Sequence, residues 1–198
     1  MPVPETTKHV KAQDDRREML RLIRSTGLPT ISIQPVVFLD NLLEGWARPA
    51  LVERETILYC HQTTLDVSWI CHYDIAQLMI AAMSHPELAG RNFAVGGPET
   101  VRLPQLTEIL SKAWGKTLKY ESQSVDDFCN KISESMGTRS GLDTEVVIKQ
   151  MRKAYTYYRE SDEFKVDMTE VLKELPVKLT PIREWASQHP FPKEEPKS

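Results

Sequence analysis

The sequence is poor in the glycine-rich motifs that hold phosphate groups. It has 198 residues but only eight glycines, and neither G-x-G-x-x-G nor G-x-x-x-x-G-K-[ST] occurs in it. The only glycine pair, Gly96-Gly97, is followed by Pro98, which has no backbone N–H to offer a phosphate. We therefore predict a turn at residues 96–98 and no phosphate-binding loop there.

Long apolar runs are also absent. No uninterrupted apolar stretch approaches the roughly 18 residues of a membrane-spanning helix. The first residues, "MPVPETTKHVKAQDD", lack the apolar centre of a signal peptide. The formal net charge is −3, which does not indicate a nucleic-acid surface. These features predict a cytoplasmic protein that binds neither membrane nor nucleic acid.

Cysteine is scarce and histidine shows no metal-binding pattern. The five histidines and three cysteines lack the spacing of metal ligands, so we predict no metal site. The odd number of cysteines predicts reduced thiols rather than a disulfide framework; they are Cys60, Cys71 and Cys129. There is also no Tyr-x-x-x-Lys motif and no orderable Ser-His-Asp set.

The pattern that is present alternates helices and strands. Helical spacing of apolar residues predicts helices over 13–25, 74–85 and 104–114. β-rich runs predict strands over 30–34, 91–95 and 116–122, and an extended or hairpin pair over 56–60 and 66–71. Because strand 30–34 follows directly on a helix, we expect it to be parallel to a neighbour. The alternation indicates an α/β fold.

The last third of the sequence is helical in pieces. Helices are predicted over 124–135, 142–159, 167–174 and 181–188, forming a small, mostly helical subdomain at about 124–190. Two N-caps are predicted, Asp74 with Gln77 as its capping-box partner, and Thr180 ahead of Pro181. Residues 1–12 are predicted to be flexible and residues 193–198 to be a disordered tail.

Two strand ends carry candidate functional residues. The apolar run "SIQPVVFLDN" stops at Pro35 and resumes towards Asn41, as a strand that delivers its end to a pocket would. His72-Tyr73-Asp74 follows the strand 66–71, and strand ends border ligand crevices in open α/β sheets. The alternative for His72 is a partly exposed loop residue just before a helix.

These segments resemble NmrA-like proteins, which are atypical short-chain dehydrogenases. "STGLPTISIQPVVFLDNLL" is similar to their Ser-Gly-Leu helix end, strand and Pro-x-x-Phe-x-x-Asn segment. The segment from "DVSWICHYDIAQLM" to "WGKTLKY" follows their strand, Asp-Ile-Ala helix and Gly-Pro-Glu turn. "LTPIREWASQHPF" is similar to their C-terminal helix, so the resemblance covers about residues 13–192.

The resemblance implies a fold, a cofactor and a site. The fold is the C-terminal part of a Rossmann-like NmrA-type fold, with an incomplete parallel sheet and the helical subdomain. NAD(P) is the implied cofactor, and the implied residues on its nicotinamide side are Pro35, Val36 and Val37. The implied substrate-pocket residues are Phe38, Asn41, Trp46 and His72, and no catalytic residue is assigned.

The sequence departs from the family in lacking the N-terminal half that carries the dinucleotide turn. We therefore expect no tight NAD(P) binding by this chain alone. Gln34 also stands where many relatives carry Arg. Because a parallel strand needs neighbours on both edges, we expect one of two outcomes. Either a second copy or a partner chain covers an open sheet edge, or the chain has modest stability and some tendency to aggregate.

Three functional hypotheses remain open. The first is an NmrA-like protein of the NAD(P)-dependent oxidoreductase lineage, here its substrate-binding half with little or no independent redox catalysis. The second is a non-catalytic regulatory or binding module that acts through a partner. The third is a cofactor-independent enzyme on a small hydrophobic metabolite, with His72, Tyr73 or Asp74 as acid–base groups.

Overall fold

The computed structural model describes residues 2–136 and 144–193. The chain clusters into two compact units. Unit 1 comprises Met1–Leu39, Asp66–Thr100 and Asp162–Pro181. Unit 2 comprises Asp40–Leu65, Val101–Ser161 and Ile182–Ser198.

The described residues form eight α-helices and seven short strands, numbered in chain order. The helices are α1 Lys11–Ser25, α2 Arg48–Arg54, α3 His72–Met83, α4 Leu103–Trp114, α5 Val125–Met136, α6 Thr144–Glu160, α7 Thr169–Glu174 and α8 Ile182–Gln188. The strands are β1 Ser32–Pro35, β2 Val37–Phe38, β3 Thr56–Tyr59, β4 Val67–Ile70, β5 Asn92–Val95, β6 Thr100–Val101 and β7 Lys119–Ser122. Short 3-10 turns lie at Leu39–Leu43 and Pro86–Leu88.

Unit 1 is built on two parallel strand pairs. β1 pairs with β5, with Pro35 opposite Val95, and β2 pairs with β4, with Phe38 opposite Ile70. The parallel arrangement predicted for the strand after α1 is confirmed. Its apolar core joins β4, α3, β5 and the segment around α7; the buried members are Ile70, Leu78, Ala82, Phe93, Val95, Met168, Val171, Leu175 and Leu179.

Unit 2 is built on a third parallel pair with helices around it. β3 pairs with β7, with Tyr59 opposite Ser122. α4 packs with α8, and α5 packs with α6. The indole N–H of Trp114 donates to the carbonyl oxygens of Ala186 at 3.1 Å and His189 at 2.8 Å, which ties α4 to the end of α8.

The three parallel pairs and the surrounding helices confirm the predicted α/β class. Of the two alternatives given for residues 56–60 and 66–71, an extended pair or a hairpin, the hairpin is wrong, although both segments are strands. The runs 56–60 and 66–71 form β3 in unit 2 and β4 in unit 1, which belong to different sheets. All four residues of each strand are buried. Burial on both faces is typical of parallel strands, whereas a surface hairpin alternates buried and exposed residues.

Both predicted N-caps are wrong as well. α3 begins at His72, so Asp74 lies inside its first turn and Gln77 in its second, and Cys71 occupies the cap position. α8 begins at Ile182, so Pro181 rather than Thr180 precedes it. The fully buried carboxylate of Asp74 instead accepts the backbone N–H of Thr180 at 2.9 Å and its hydroxyl at 2.7 Å. The two residues predicted as local caps therefore bond to each other within unit 1.

The helical region 124–190 does not cluster as one unit. Residues 162–181 belong to unit 1, because the apolar residues in and around α7 pack into its core. Near the N-terminus, the Val3 N–H donates to the Gln34 side chain at 2.7 Å, and the Lys8 N–H donates to Asp14 at 2.9 Å. Residues 142–143 of one predicted helix and 194–198 of the predicted tail lie outside the described residues.

The described part of the chain contains no helix that is both long and apolar enough to cross a membrane. Within the same residues, no group of three or more His, Cys, Asp or Glu side chains is arranged to hold a metal ion.

Candidate functional site

The strand-end group of unit 1 comprises Pro35, Val36, Val37, Phe38 and His72. The first four residues lie at the carboxyl ends of β1 and β2, and His72 comes two residues after the end of β4. The Val36 N–H donates to the carbonyl of Val95 at 3.1 Å, so the β1–β5 pairing continues past Pro35. This is the edge at which open parallel sheets bind ligands.

Members of the strand-end group differ in what they present to solvent. The side chains of Val36 and Val37 are buried, whereas Pro35 and Phe38 are half-buried and His72 is exposed. The rings of Phe38 and His72 are in contact, with centroids 4.5 Å apart and planes inclined by 59°. The surface of this group that a ligand can reach is therefore an aromatic face with an imidazole beside it.

The three adjacent polar residues of the acid–base hypothesis do not converge. Tyr73 is 63% exposed, whereas Asp74 is fully buried and bonded to Thr180. Burial raises the pKa of the Cys71 thiol; a hydrogen bond with the Asp74 backbone acts against this, and the negative charge of Asp74 acts with it. Asp74 therefore serves as a buried acceptor in unit 1, and His72 is the residue of the three that contacts Phe38.

Asn41 and Trp46 belong to unit 2, where both contact Tyr59. The Asn41 side chain hydrogen-bonds the Tyr59 hydroxyl. The Trp46 ring meets the Tyr59 ring edge-on, with centroids 5.3 Å apart. Phe128 on α5 contacts both rings, at 4.8 and 5.2 Å. The structure thus divides the predicted pocket residues between the two units.

Tyr59 and the two residues after it were missed by the sequence interpretation. Tyr59, Cys60 and His61 are all buried at the carboxyl end of β3, and the Tyr59 and His61 rings stack at 4.7 Å. The strand-end rule applied to Pro35 and His72, if extended to residues 56–60, would have selected them. The position of Phe128 beside them depends on the packing of α5 and carried no local signal.

Burial keeps the polar groups of this cluster in their uncharged forms. Burial raises the pKa of Tyr59 well above its usual range and that of Cys60 to about 12, and it raises the pKa of Cys129 to about 11. Burial also lowers the pKa of His61 to about 4, and the positive charge of Arg159 acts in the same direction. Because a thiolate is needed for attack, Cys60 and Cys129 are unreactive thiols at neutral pH.

The Gly96-Gly97 pair is fitted to its own sheet. The Gly97 N–H donates to the carbonyl of Ser68 at 3.2 Å, and the Gly96 N–H donates to the Met168 sulfur at 3.2 Å. A Cβ on Gly97 would lie 1.8 Å from the carbonyl oxygen of Trp69. Since β4 already fills the space beside these glycines, they do not fit a dinucleotide pyrophosphate.

No family model matches the chain. A curated reductase of Streptomyces griseus, the "(4-alkanoyl-5-oxo-2,5-dihydrofuran-3-yl)methyl phosphate reductase", is 29% identical over 111 residues. That match covers 56% of this chain and 38% of the relative, so the chain spans well under half of that protein.

Two solved structures share the fold over most of the chain. A nucleoside-diphosphate-sugar epimerase of Staphylococcus aureus superposes with a TM-score of 0.71 at 16% identity, covering 93% of this chain and 61% of that one. The NADPH-dependent quinone oxidoreductase QOR2 of Escherichia coli superposes with a TM-score of 0.66 at 19% identity, covering 89% and 60%. The chain thus shares its α/β fold with QOR2 and has distant sequence similarity to one curated reductase.

Proposed function

We propose that the chain is the substrate-side part of an NmrA-like protein of the NAD(P)-dependent oxidoreductase lineage, with little or no redox catalysis of its own. The observation that carries the proposal is the half-buried Phe38 in contact with the exposed His72, at the carboxyl ends of β2 and β4. Strand ends are where open α/β sheets bind small molecules. The similarity to a reductase over 111 residues supports the lineage.

In this proposal, Pro35 and the face formed by Phe38 and His72 contact the substrate. The aromatic ring and the proline supply apolar contact area, and the imidazole supplies one hydrogen bond that orients a polar group. Asn41 and Trp46 contact Tyr59 in unit 2 and are not part of this face, so their substrate-pocket role stays a separate prediction. The buried Val36 and Val37 contribute by fixing the backbone of the strand end.

Weak cofactor binding is the second part of the proposal. QOR2 of Escherichia coli has been crystallised in complex with NADPH. In the present chain the N–H groups of Gly96 and Gly97 are already bonded to Ser68 and Met168. A pyrophosphate needs several backbone N–H groups directed at one point, and this glycine pair does not supply them.

A titration of the purified chain with NADPH tests the proposal. We expect no saturable change in nicotinamide fluorescence at micromolar concentrations, because the glycine pair offers no free amides to the phosphates. Escherichia coli QOR2, titrated in parallel, controls for the activity of the ligand, and circular dichroism confirms that the chain is folded. Saturable micromolar binding of NADPH to the chain alone would contradict the proposal.

An exposed apolar face on α3 favours the alternative of a binding module. Helix α3 is apolar almost all round its circumference, and its outer side carries four large exposed side chains, which are Tyr73, Met79, Ile80 and Met83. Met83 is 84% exposed. A helix that is apolar on every face is usually buried, so this face is suited to a protein partner such as a second copy of the chain.

Light scattering coupled to size-exclusion chromatography tests this alternative. We expect the wild-type chain to exceed its monomer mass of 22.7 kDa as its concentration rises. Ile80→Glu should restore the monomer, because a carboxylate on the apolar face opposes its burial. Lys119→Glu, which places a carboxylate at an exposed residue of β7, is the control and should behave as wild type. A wild-type monomer at all concentrations rules out self-association through α3.

A further inference from the structure

A polar pocket lies at the carboxyl ends of β3 and β7 in unit 2. The Gln123 N–H donates to the carbonyl of Tyr59 at 3.0 Å, which extends the strand pairing to the rim of the pocket. The pocket encloses about 450 Å³, and its lining residues are Gln62, Ser124, Val125, Asp126, Thr156 and Arg159. Gln62 follows β3 by three residues, Ser124 follows β7 by two, and α6 supplies the opposite wall. Its place at the ends of parallel strands is that of a ligand crevice.

Of the described side chains that line the pocket, Arg159 is the cation available to a ligand. The carboxylate of Asp126 is 2.6 Å from the guanidinium of Arg152, so its charge is already neutralised. Among the side chains that the structure describes, no carboxylate forms an ion pair with Arg159. The Arg159 charge also lowers the pKa of the buried His61. Because Asp126 is already paired with Arg152, the positive charge of Arg159 is available to an anionic ligand in the pocket.

Hydrogen-bonding groups accompany the guanidinium. Thr156 lies three residues before Arg159, so the two side chains project from the same face of α6. The side-chain amide of Gln62 lines the pocket from the β3 end. The Ser124 hydroxyl is engaged in bonds to Asp127, at 2.7 Å and 3.0 Å, that cap helix α5. Five of the six lining residues are polar, which favours a ligand with polar groups.

We propose that this pocket binds a small polar molecule through a phosphate or carboxylate group, with Arg159 as its main anion-binding residue. The guanidinium fork matches both anions in a bidentate geometry. The hydroxyl of Thr156 and the amide of Gln62 are the neutral donors to the same ligand. This site lies in unit 2 and is independent of the function proposed for the Phe38 and His72 face of unit 1.

Chemical-shift titrations of the ¹⁵N-labelled chain test the proposal, with inorganic phosphate and succinate as separate probes. We expect saturable shifts of the backbone amides of Gln62 and Val125 with at least one probe. A response to phosphate only assigns a phosphate ligand, and a response to succinate only assigns a carboxylate ligand. Choline chloride controls for ionic strength and should cause no saturable shift. The absence of saturation up to about 50 mM of either anion overturns the proposal.

Substitution of Arg159 gives the matched test. Arg159→Gln should weaken binding of the active probe about tenfold or more, since charge-assisted hydrogen bonds are lost. Arg183→Gln removes an equal charge from an exposed residue of unit 2 outside the pocket and should leave affinity unchanged. Thr156→Val should weaken binding a few-fold. Equal affinities of the Arg159→Gln and Arg183→Gln variants overturn the assignment, and the wild-type titration decides the site if Arg159→Gln does not fold.

Discussion

Gly97→Ala is expected to destabilise the protein by about 3 kcal/mol or more. The added Cβ would lie 1.8 Å from the carbonyl oxygen of Trp69 and 2.8 Å from its carbonyl carbon. Both are backbone atoms of the fully buried strand β4. They cannot retreat as a flexible side chain would, so relief requires β4 to shift and its pairing with β2 to distort. The same shift would distort the hydrogen bond from the Gly97 N–H to the carbonyl of Ser68.

Urea unfolding and thermal melting measure this effect. For a chain of this size, a loss of 3 kcal/mol corresponds to a fall in melting temperature of about 6 to 12 °C. Gly45→Ala is the matched control, because the nearest atom to a Cβ there is the Ser135 Cβ at an ordinary 3.7 Å. That variant should lie within about 1 kcal/mol of wild type. If Gly97→Ala and Gly45→Ala have the same melting temperature, Gly97 does not approach the β4 backbone as closely as described.

The sequence argued against a phosphate loop at Gly96-Gly97 but did not predict the reason for its glycines. Where a turn was predicted over residues 96–98, the structure has a bend at Pro98 alone. The following Pro98 was enough to argue against a phosphate loop. The contact that requires glycine is made with Ser68 and Trp69, almost thirty residues earlier in the chain. A close contact between backbone segments that are distant in the sequence produces no periodic pattern of residues, so it could not be predicted from the sequence.

Helices and strands with strong local patterns were predictable to within about two residues. The predicted helices 13–25 and 104–114 correspond to Lys11–Ser25 and Leu103–Trp114, and the predicted strand 91–95 corresponds to Asn92–Val95. Local apolar spacing fixes such segments. Partner choice is not local: β3 pairs with β7, whose residues come sixty-three positions later. The predicted hairpin failed because adjacency in sequence was taken as adjacency in space.

Only part of the candidate site was predictable from the sequence. Pro35 and His72 were found because each follows a strong strand signal. Asp74 was misread because a polar residue in the first turn of a helix resembles a cap, and its actual partner, Thr180, is 106 residues away. Arg159 gave no signal at all, because the packing of α6 brings it to the carboxyl ends of β3 and β7.

Stability is expected to fall by about 3 kcal/mol between pH 6.5 and pH 4 through the titration of His61 alone. The imidazole is 2% exposed, and burial lowers its pKa to about 4, with the Arg159 charge adding to the effect. In the unfolded chain the pKa returns to about 6.5. Across this window the unfolded state binds a proton that the folded state does not, so lower pH favours unfolding. Above about pH 7.5 the imidazole is neutral in both states, and the full stability is present.

His61→Asn removes this titration while keeping a polar side chain. We expect the difference in unfolding free energy between wild type and His61→Asn to shrink by about 2 kcal/mol from pH 7 to pH 4.5, measured from urea midpoints. His9→Asn is the control: His9 is exposed, and Asn tolerates its positive φ of 58°. That variant should follow the wild-type pH dependence. If the unfolding free energies of wild type and His61→Asn change in parallel with pH, His61 is not held neutral by burial. Solvent would then also screen the Arg159 charge from the His61 imidazole.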